Sequence, residues 1–399
     1  MIPSIRQNFN ANFTEEKYQN YLSYIKNSFP NALDFKIAET PIFIDQKFTA
    51  QLLELGDYVN GEILGNQFKV NTQPSLDRQP NIPNEPAYPG CIVMDFAIAN
   101  NSKNELVPKL IELQGFPSLF AFELLQEEAL SKNYELPKNY SPFLNGYDKK
   151  KYIAHLKKII SGSKGEHTVL LEIQPQQQKT RIDFYCTEKY LNIPVVCISE
   201  LAQKGNQLFY TRNGISIKID RIYNRVIMDE LDKQSAAIQE KGKLLLNELA
   251  ISWVTHPHHF FRISKFLMPF LKHPLVPSTQ FVDQLATFPK NLEDYILKPL
   301  FSFAGQGVII DIQPGDFEKL ENPAHWILQE KVHYAECIKT PTGQAKAELR
   351  LFYFWDENQQ KYIATMNLAR LSKGKMIGVD YNKTATWVGG SLAYFENQN

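Results

Sequence analysis

At 399 residues the chain exceeds the size at which a single hydrophobic core usually stops growing, which predicts two or three packed subdomains. Hydrophobic residues at 43% and charged residues at 22% are ordinary globular usage, so the chain is expected to fold throughout. Its 43 basic and 43 acidic residues cancel, which excludes the electrostatic footprint that nonspecific binding to nucleic acid or anionic lipid requires. A small-molecule substrate is the better expectation.

No run of about 20 apolar residues could span a bilayer, and the opening MIPSIRQNFNANF has no apolar signal-peptide core, so a cytoplasmic location is expected. Three units follow along the chain, over residues 1–165, 166–273 and 274–399. In the first, the proline-rich stretch TQPSLDRQPNIPNEPAYPG reads as an irregular surface loop, because proline disfavours helix and central strand alike. Two strand-like runs come next, CIVMDFAIA and LVPKLIELQ, and then the helical SLFAFELLQEEALSK. In the second unit TVLLEI, KTRIDFYCTEKYL and PVVCIS read as strand, helix and strand. QLFYTRNGISIKID follows as two strands about an Asn213-Gly214 turn, then RIYNRVIMDELDKQ as a helix, and HPHHFFRISKFLMPFL as a helix opened by Pro257. The third unit is strand-rich: DYILKP, GVIIDI, HWILQEKV, ELRLFYFW and KYIATMNLARL.

The richest segment is DYILKPLFSFAGQGVIIDI. A strand ends in Lys298-Pro299, a loop carries Gly305 and Gly307, and a second strand is expected beyond it. A P-loop or a dinucleotide-binding turn would lead its glycines into a helix, so neither matches. In a strand, loop, strand device the glycines let backbone N–H groups approach a polyphosphate while the lysine offers a point charge. Downstream, WILQEKV turns polar at Gln329-Glu330-Lys331, as an edge strand reading adenine would. Glu348 and Arg350 share one face of their strand and Arg370 closes the next, so two guanidiniums can converge on phosphate oxygens. The competing reading of those charges is an ion-pair row on a solvated sheet face. Asp95 and Glu112, on adjacent strands, suit the one or two carboxylates that Mg²⁺ takes beside phosphate oxygens. His256, His258 and His259 lack the i, i+4 pairing that puts two imidazoles on one face, and are set aside as metal ligands. No GxSxG or comparable nucleophile motif supports a hydrolase.

ILKPLFSFAGQGV, followed by WILQEKV and the Arg370 strand, resembles the ATP-grasp enzymes. The order of segments is similar to the synthetase domain of glutathionylspermidine synthase and its circularly permuted relatives, in which part of the grasp fold precedes a βαβ domain. The resemblance spans most of the chain and implies a mixed α/β and α+β architecture with a permuted ATP-grasp fold. It also implies an ATP- and Mg²⁺-dependent ligase that joins a small-molecule or peptide carboxylate to an amine through an acyl phosphate. Carried over by position, it implies Lys265 and Lys298 on the ATP phosphates, with Ser302, Phe303, Ala304, Gly305, Gln306 and Gly307 as the loop above them. Gln329, Glu330 and Val332 would surround adenine, Arg370 would face the transferred phosphoryl, and Asp95, Glu112 and Gln114 would hold magnesium. Two positions depart from the family. Gln114 stands where the pattern has asparagine, and Val93 stands where it has an arginine, so Arg350 or a mobile lysine would have to supply the missing charge. Two other outcomes stay open: a module that keeps the fold without catalysis, and a phosphotransferase that stops at the phosphorylated acceptor.

Overall fold

The computed structural model describes residues 2–162, 165–302, 305–375, 377, 382 and 384–397. Short-range chemistry sets the first helices. Pro3 opens α1 (Pro3–Asn12), Thr14 Oγ1 accepts from the Lys17 amide at 3.2 Å to cap α2 (Glu15–Ser28), and Asp45 caps α3 (Gln46–Leu64) through the Phe48 amide at 2.9 Å. On α3 the residues Phe48, Leu52, Leu55, Val59 and Ile63 recur at helical spacing and are all buried. The proline-rich stretch opens with a tight helical turn at Gln73–Leu76 and is irregular beyond it, and Ser75, Leu76 and Ile82 within it are buried instead of lying at the surface.

Strands β1 (Cys91–Asn100) and β2 (Leu106–Gln114) form an antiparallel pair, followed by α4 (Phe122–Asn133) and α5 (Lys149–Ser161). The βαβ unit is β3 (Thr168–Glu172), α6 (Arg181–Leu191) and β4 (Val195–Cys197). The Asn213-Gly214 turn joins β5 (Gln207–Arg212) to β6 (Ile215–Ile219), with φ of 52° and 76° at its two residues. RIYNRVIMDELDKQ is not the helix its spacing suggests. Its first residues are β7 (Arg221–Asn224), an inner strand of the parallel order β8-β7-β3-β4, where β8 is Ser252–Trp253, and only Met228–Leu231 turns helical. Pairing with two distant strands overrides the local pattern.

Helix α7 (Pro257–Arg262) begins at Pro257 as expected but stops at Ile263, and Ser264 starts a separate tight turn, Lys265–Phe270. A three-stranded antiparallel sheet then runs β9 (Thr279–Phe281), β11 (Trp326–Glu330), β10 (Tyr295–Pro299). GVIIDI forms no strand there: a single bridge, Leu297 to Ile309, is all that pairs. WILQE lies at the centre of its sheet instead of at an edge, so its backbone is spent on two neighbours.

The chain closes with β12 (Gly343–Asp356), β13 (Lys361–Ser372) and β14 (Gly389–Ser391), which join the earlier pair in the order β14-β13-β12-β1-β2. This central sheet draws its strands from both ends of the sequence, with the βαβ unit between them. Alternation gives its two faces different company. Ile92, Met94, Phe96, Leu349, Leu351 and Leu371 look into one apolar cluster. The other face is apolar at one end, where Cys91, Val93, Phe352 and Phe354 meet Phe120 and Tyr152, and charged at the other. No described helix is long and apolar enough to cross a membrane.

Candidate functional site

Register puts the charges together. Arg370 stands opposite Glu348 across β13 and β12, Arg350 opposite Asp95 across β12 and β1, and Asp95 opposite Glu112 across β1 and β2. Directly opposed residues share a sheet face, so all five point into one site. Arg350 grips Asp95 with Nε and Nη2 each donating at 2.6 Å, and its Nη1 donates to Ser118 Oγ at 3.2 Å. Arg370 Nη2 donates to Asp95 Oδ2 at 2.8 Å and pairs closely with Glu348. Tyr334 OH, from the crossing that follows β11, donates to the other Glu348 oxygen at 2.7 Å. The Asp95 side chain is fully buried and those of Arg350 and Arg370 are 13% and 30% exposed, so this is no solvated ion-pair row.

A bulge brings the lysines in. Pairing skips from Leu110 to Glu112 opposite Phe96 and Asp95, leaving Ile111 unpaired, and the freed Ile111 carbonyl accepts from Lys298 Nζ at 3.3 Å. Lys298 sits where the sequence places it, at the end of β10. Lys265 arrives by a different route, in which Gly115, just past β2, lets the following backbone pass at van der Waals contact. A Cβ there would lie 2.2 Å from the His259 carbonyl oxygen. The Gly115 amide donates to the Ile263 carbonyl at 2.7 Å, and two residues later Lys265 Nζ lies 3.7 Å from Glu112 and donates to the Ser302 carbonyl at 2.5 Å.

Burial alone would push the Glu112 carboxyl up, but Lys265, Lys298, Arg350 and Arg370 outweigh it and hold the group down at about 2. Burial pulls the Lys298 ammonium down to about 8 against the attraction of Glu112. Burial, with Asp95 nearby, raises Glu348 despite Arg370, whose own guanidinium is held firmly cationic by Glu348 and Asp95. Lys265, Lys298, Arg350 and Arg370 thus gather around Asp95, Glu112 and Glu348, a cluster rich in cations that could meet an anionic ligand.

The remaining expected residues divide. Gln114 donates from Nε2 to Glu112 at 3.1 Å and stands opposite Val93, at the edge of the charged group. Ser302 touches Lys265, while Gly305, Gln306 and Gly307 form an exposed turn with φ of 74° at both glycines; Phe303 and Ala304 lie outside the described residues. Gln329 is buried, shares the face of Lys298, and donates to Thr279 Oγ1 at 3.0 Å. Its Oε1 has no partner among the described residues, whereas Glu330 is exposed and Val332 lies beyond the strand. Sequence reasoning missed Tyr334, Ser118 and Gly115; a lone glycine, serine or tyrosine carries no spacing signal, and only the glycine directly after the acid-bearing strand offered a hint.

No family model matches this chain, and no curated protein does. Among solved structures it is similar to a glutathione synthetase-like effector from Globodera pallida, solved in its apo form, with a TM-score of 0.58 and 12% identity over 100% of this chain and 99% of that one. The likeness is one of fold alone, a mixed α and β architecture with several sheets.

Proposed function

We propose that this chain is an ATP-dependent carboxylate-amine ligase with a circularly permuted ATP-grasp fold, acting in the cytoplasm on small-molecule or peptide substrates, with no nucleic acid or membrane partner. One observation carries the reading: Lys298, at the end of a strand in one sheet, meets the bulged strand of the acid-bearing sheet beside Glu112. A phosphate-binding lysine and a metal-binding acid need that juxtaposition.

In this reading Lys298 and Lys265 bind the ATP phosphates, and the turn carrying Gly305 and Gly307 closes over them to exclude water. Arg370 neutralises the transferred phosphoryl oxygens. Arg350 takes the place of the arginine absent at position 93. Val93 is fully buried against Phe352, so the charge has moved one strand across instead of vanishing. A carboxylate acceptor attacks the γ-phosphorus, ADP leaves, and the amine then displaces phosphate from the acyl phosphate to form an amide. The fit to magnesium is partial. Glu112, ionised and next to Gln114, offers a suitable oxygen, while both Asp95 oxygens are held by guanidiniums and serve a metal only if Arg350 and Arg370 turn to the phosphates. Magnesium bound there would neutralise phosphate charge.

The sealing of Asp95 favours a second reading, a nucleotide-binding module without catalysis. Phosphate release from Mg-ATP in pools of carboxylates and amines separates the two. Turnover that disappears in Lys298→Ala supports the ligase, and nucleotide binding without any phosphate release supports the module. Absence of nucleotide binding in the unmodified protein refutes both.

A further inference from the structure

A second cluster lies where the proline-rich stretch meets the start of α7. Among the described residues, Glu85, His256 and His258 are the one group of three or more His, Cys, Asp or Glu side chains whose ligand atoms all fall within 4.8 Å of one another. Both imidazoles are buried and Glu85 is 16% exposed, so the group is nearly dry yet open at one edge.

Both Nε2 atoms face backbone carbonyls, which suits the tautomer with hydrogen on Nε2. His258 Nε2 lies 3.0 Å from the Pro80 carbonyl and 3.4 Å from the Ile82 amide, and the closer contact suits a hydrogen on this nitrogen. His256 Nε2 likewise faces the Pro83 carbonyl at 3.2 Å. With that tautomer the Nδ1 lone pairs face Glu85 and the His258 amide. His258 Nδ1 stands 3.1 Å from Glu85 Oε2, a contact that either a proton on Nδ1 or a metal ion between the two atoms satisfies. His256 Nδ1 accepts from the His258 amide at 3.2 Å, the bond that caps α7, and a metal taking this lone pair would displace that cap.

The surroundings match the outer shell of a metal site. Metal-bound histidines usually donate the other ring N–H to a backbone carbonyl, as both do here, and ligating carboxylates are usually held by a further hydrogen bond. Arg262 supplies it, its Nε donating to Glu85 Oε1 at 2.9 Å. His259 adds an independent observation: 1% exposed, with its ring packed on His256 at 5.9 Å, it has a buried Nδ1 without a partner among the described residues.

We propose that Glu85, His256 and His258 form a structural binding site for a borderline divalent metal, Zn²⁺ first, which staples the proline-rich segment to α7. Tetrahedral zinc with bonds of about 2.0–2.1 Å needs donors about 3.3 Å apart. Glu85 and His258 already meet this, and His256 closes by at most about 1.5 Å from the present spread. Water or His259 completes the four. Because α7 leads directly to Lys265, the metal would also steady the lysine-bearing turn. The site stands apart from the nucleotide reading and does not depend on it.

The test loads chelator-stripped full-length protein with Zn²⁺ alone and measures bound metal after gel filtration. The expected result is one zinc per chain, with affinity at least tenfold weaker in Glu85→Gln and in His258→Gln and a rise in melting temperature on loading only in the unmodified protein. Should either variant fail to fold, Co²⁺ added to the unmodified protein decides: a tetrahedral ligand-field spectrum supports the site, and a spectrum like that of the hydrated ion overturns it. Zinc that does not survive gel filtration, or that binds both folded variants as tightly, also overturns it and leaves a proton as the cation between Glu85 and His258.

Discussion

Asp95 and Arg350 face each other in register on neighbouring antiparallel strands, and the guanidinium closes on both carboxylate oxygens at 2.6 Å. The Asp95 side chain has no solvent access, and among the described residues its hydrogen bonds come from Arg350 and Arg370. Removing one partner of a buried pair leaves an uncompensated charge and costs about 3–5 kcal/mol. Arg350→Ala is therefore expected to lower unfolding stability by that order in urea titrations. Asp95→Asn/Arg350→Ala together should cost less than the sum of the two single changes, and additivity would show that the pair is not coupled.

Val93→Arg restores the arginine that the ATP-grasp resemblance leads one to expect, and the structure predicts that it fails. Position 93 is fully buried in the apolar cluster with Phe120 and Phe352, so a guanidinium there would be desolvated without a carboxylate opposite it. The expected outcome is a loss of several kcal/mol, read as aggregation or a large fall in melting temperature, with no gain in phosphate release.

What the residues disclosed in advance, and what they withheld, follows one physical line. β1 and β2 were readable because their apolar runs were bounded by polar turns, and Glu348 with Arg350 because i, i+2 spacing fixes a shared face whatever the tertiary context. Lys298 was readable from its place at a strand end beside glycines. RIYN was not, because Ile222 and Tyr223 gain their strand state from partners about 50 residues before and 30 after. The missing strand at GVIIDI and the central place of WILQE depend in the same way on which segments arrive to pair. The His256 and His258 cluster was passed over because its third member, Glu85, comes from a stretch that local pattern could only describe as loop.

Lys298 gives opposite pH signatures for stability and for ligand binding. Its ammonium titrates at about 8 in the folded protein, against 10.5 for an exposed lysine. Between those values the unfolded chain binds the extra proton, so stability rises with pH across that window and Lys298 weighs against folding most fully below 8. Phosphate binding requires the cation and so weakens as pH rises past about 8. Isothermal titration of a nonhydrolysable ATP analogue from pH 6.5 to 9.5 should show this fall in the unmodified protein. Lys298→Ala should bind roughly a hundredfold more weakly with no inflection near 8. An unchanged profile in the variant would remove Lys298 from the phosphate site.

Glu112 acts in the acid range. Its carboxyl is drawn from 4.5 to about 2 by four cations, so its contribution is complete above 4.5 and is lost as pH falls toward 2. The size of that contribution is at most about 3 kcal/mol. Glu112→Gln is expected to flatten stability between pH 4.5 and 2 while lowering it at neutral pH, where Lys265 and Lys298 lose their anion. Guanidinium titrations at pH 3 and pH 7 measure both effects, and a stability difference between the proteins that is the same at the two pH values would contradict the assigned ion pairing.

Gly115→Ala tests the route by which Lys265 reaches the site. The added methyl would sit 2.2 Å from the His259 carbonyl oxygen and 2.9 Å from Ile263 Cβ, and both neighbours are held by backbone hydrogen bonds of α7 and the Gly115 amide. Neither can yield without moving the segment away from β2. The change is expected to cost about 1–3 kcal/mol, the range for overpacking a tight contact. It should also weaken nucleotide binding, because Lys265 is carried on the displaced segment two residues past Ile263. Gly115→Ala in a protein that still binds the ATP analogue at full strength would mean that the close approach at Gly115 does not position Lys265.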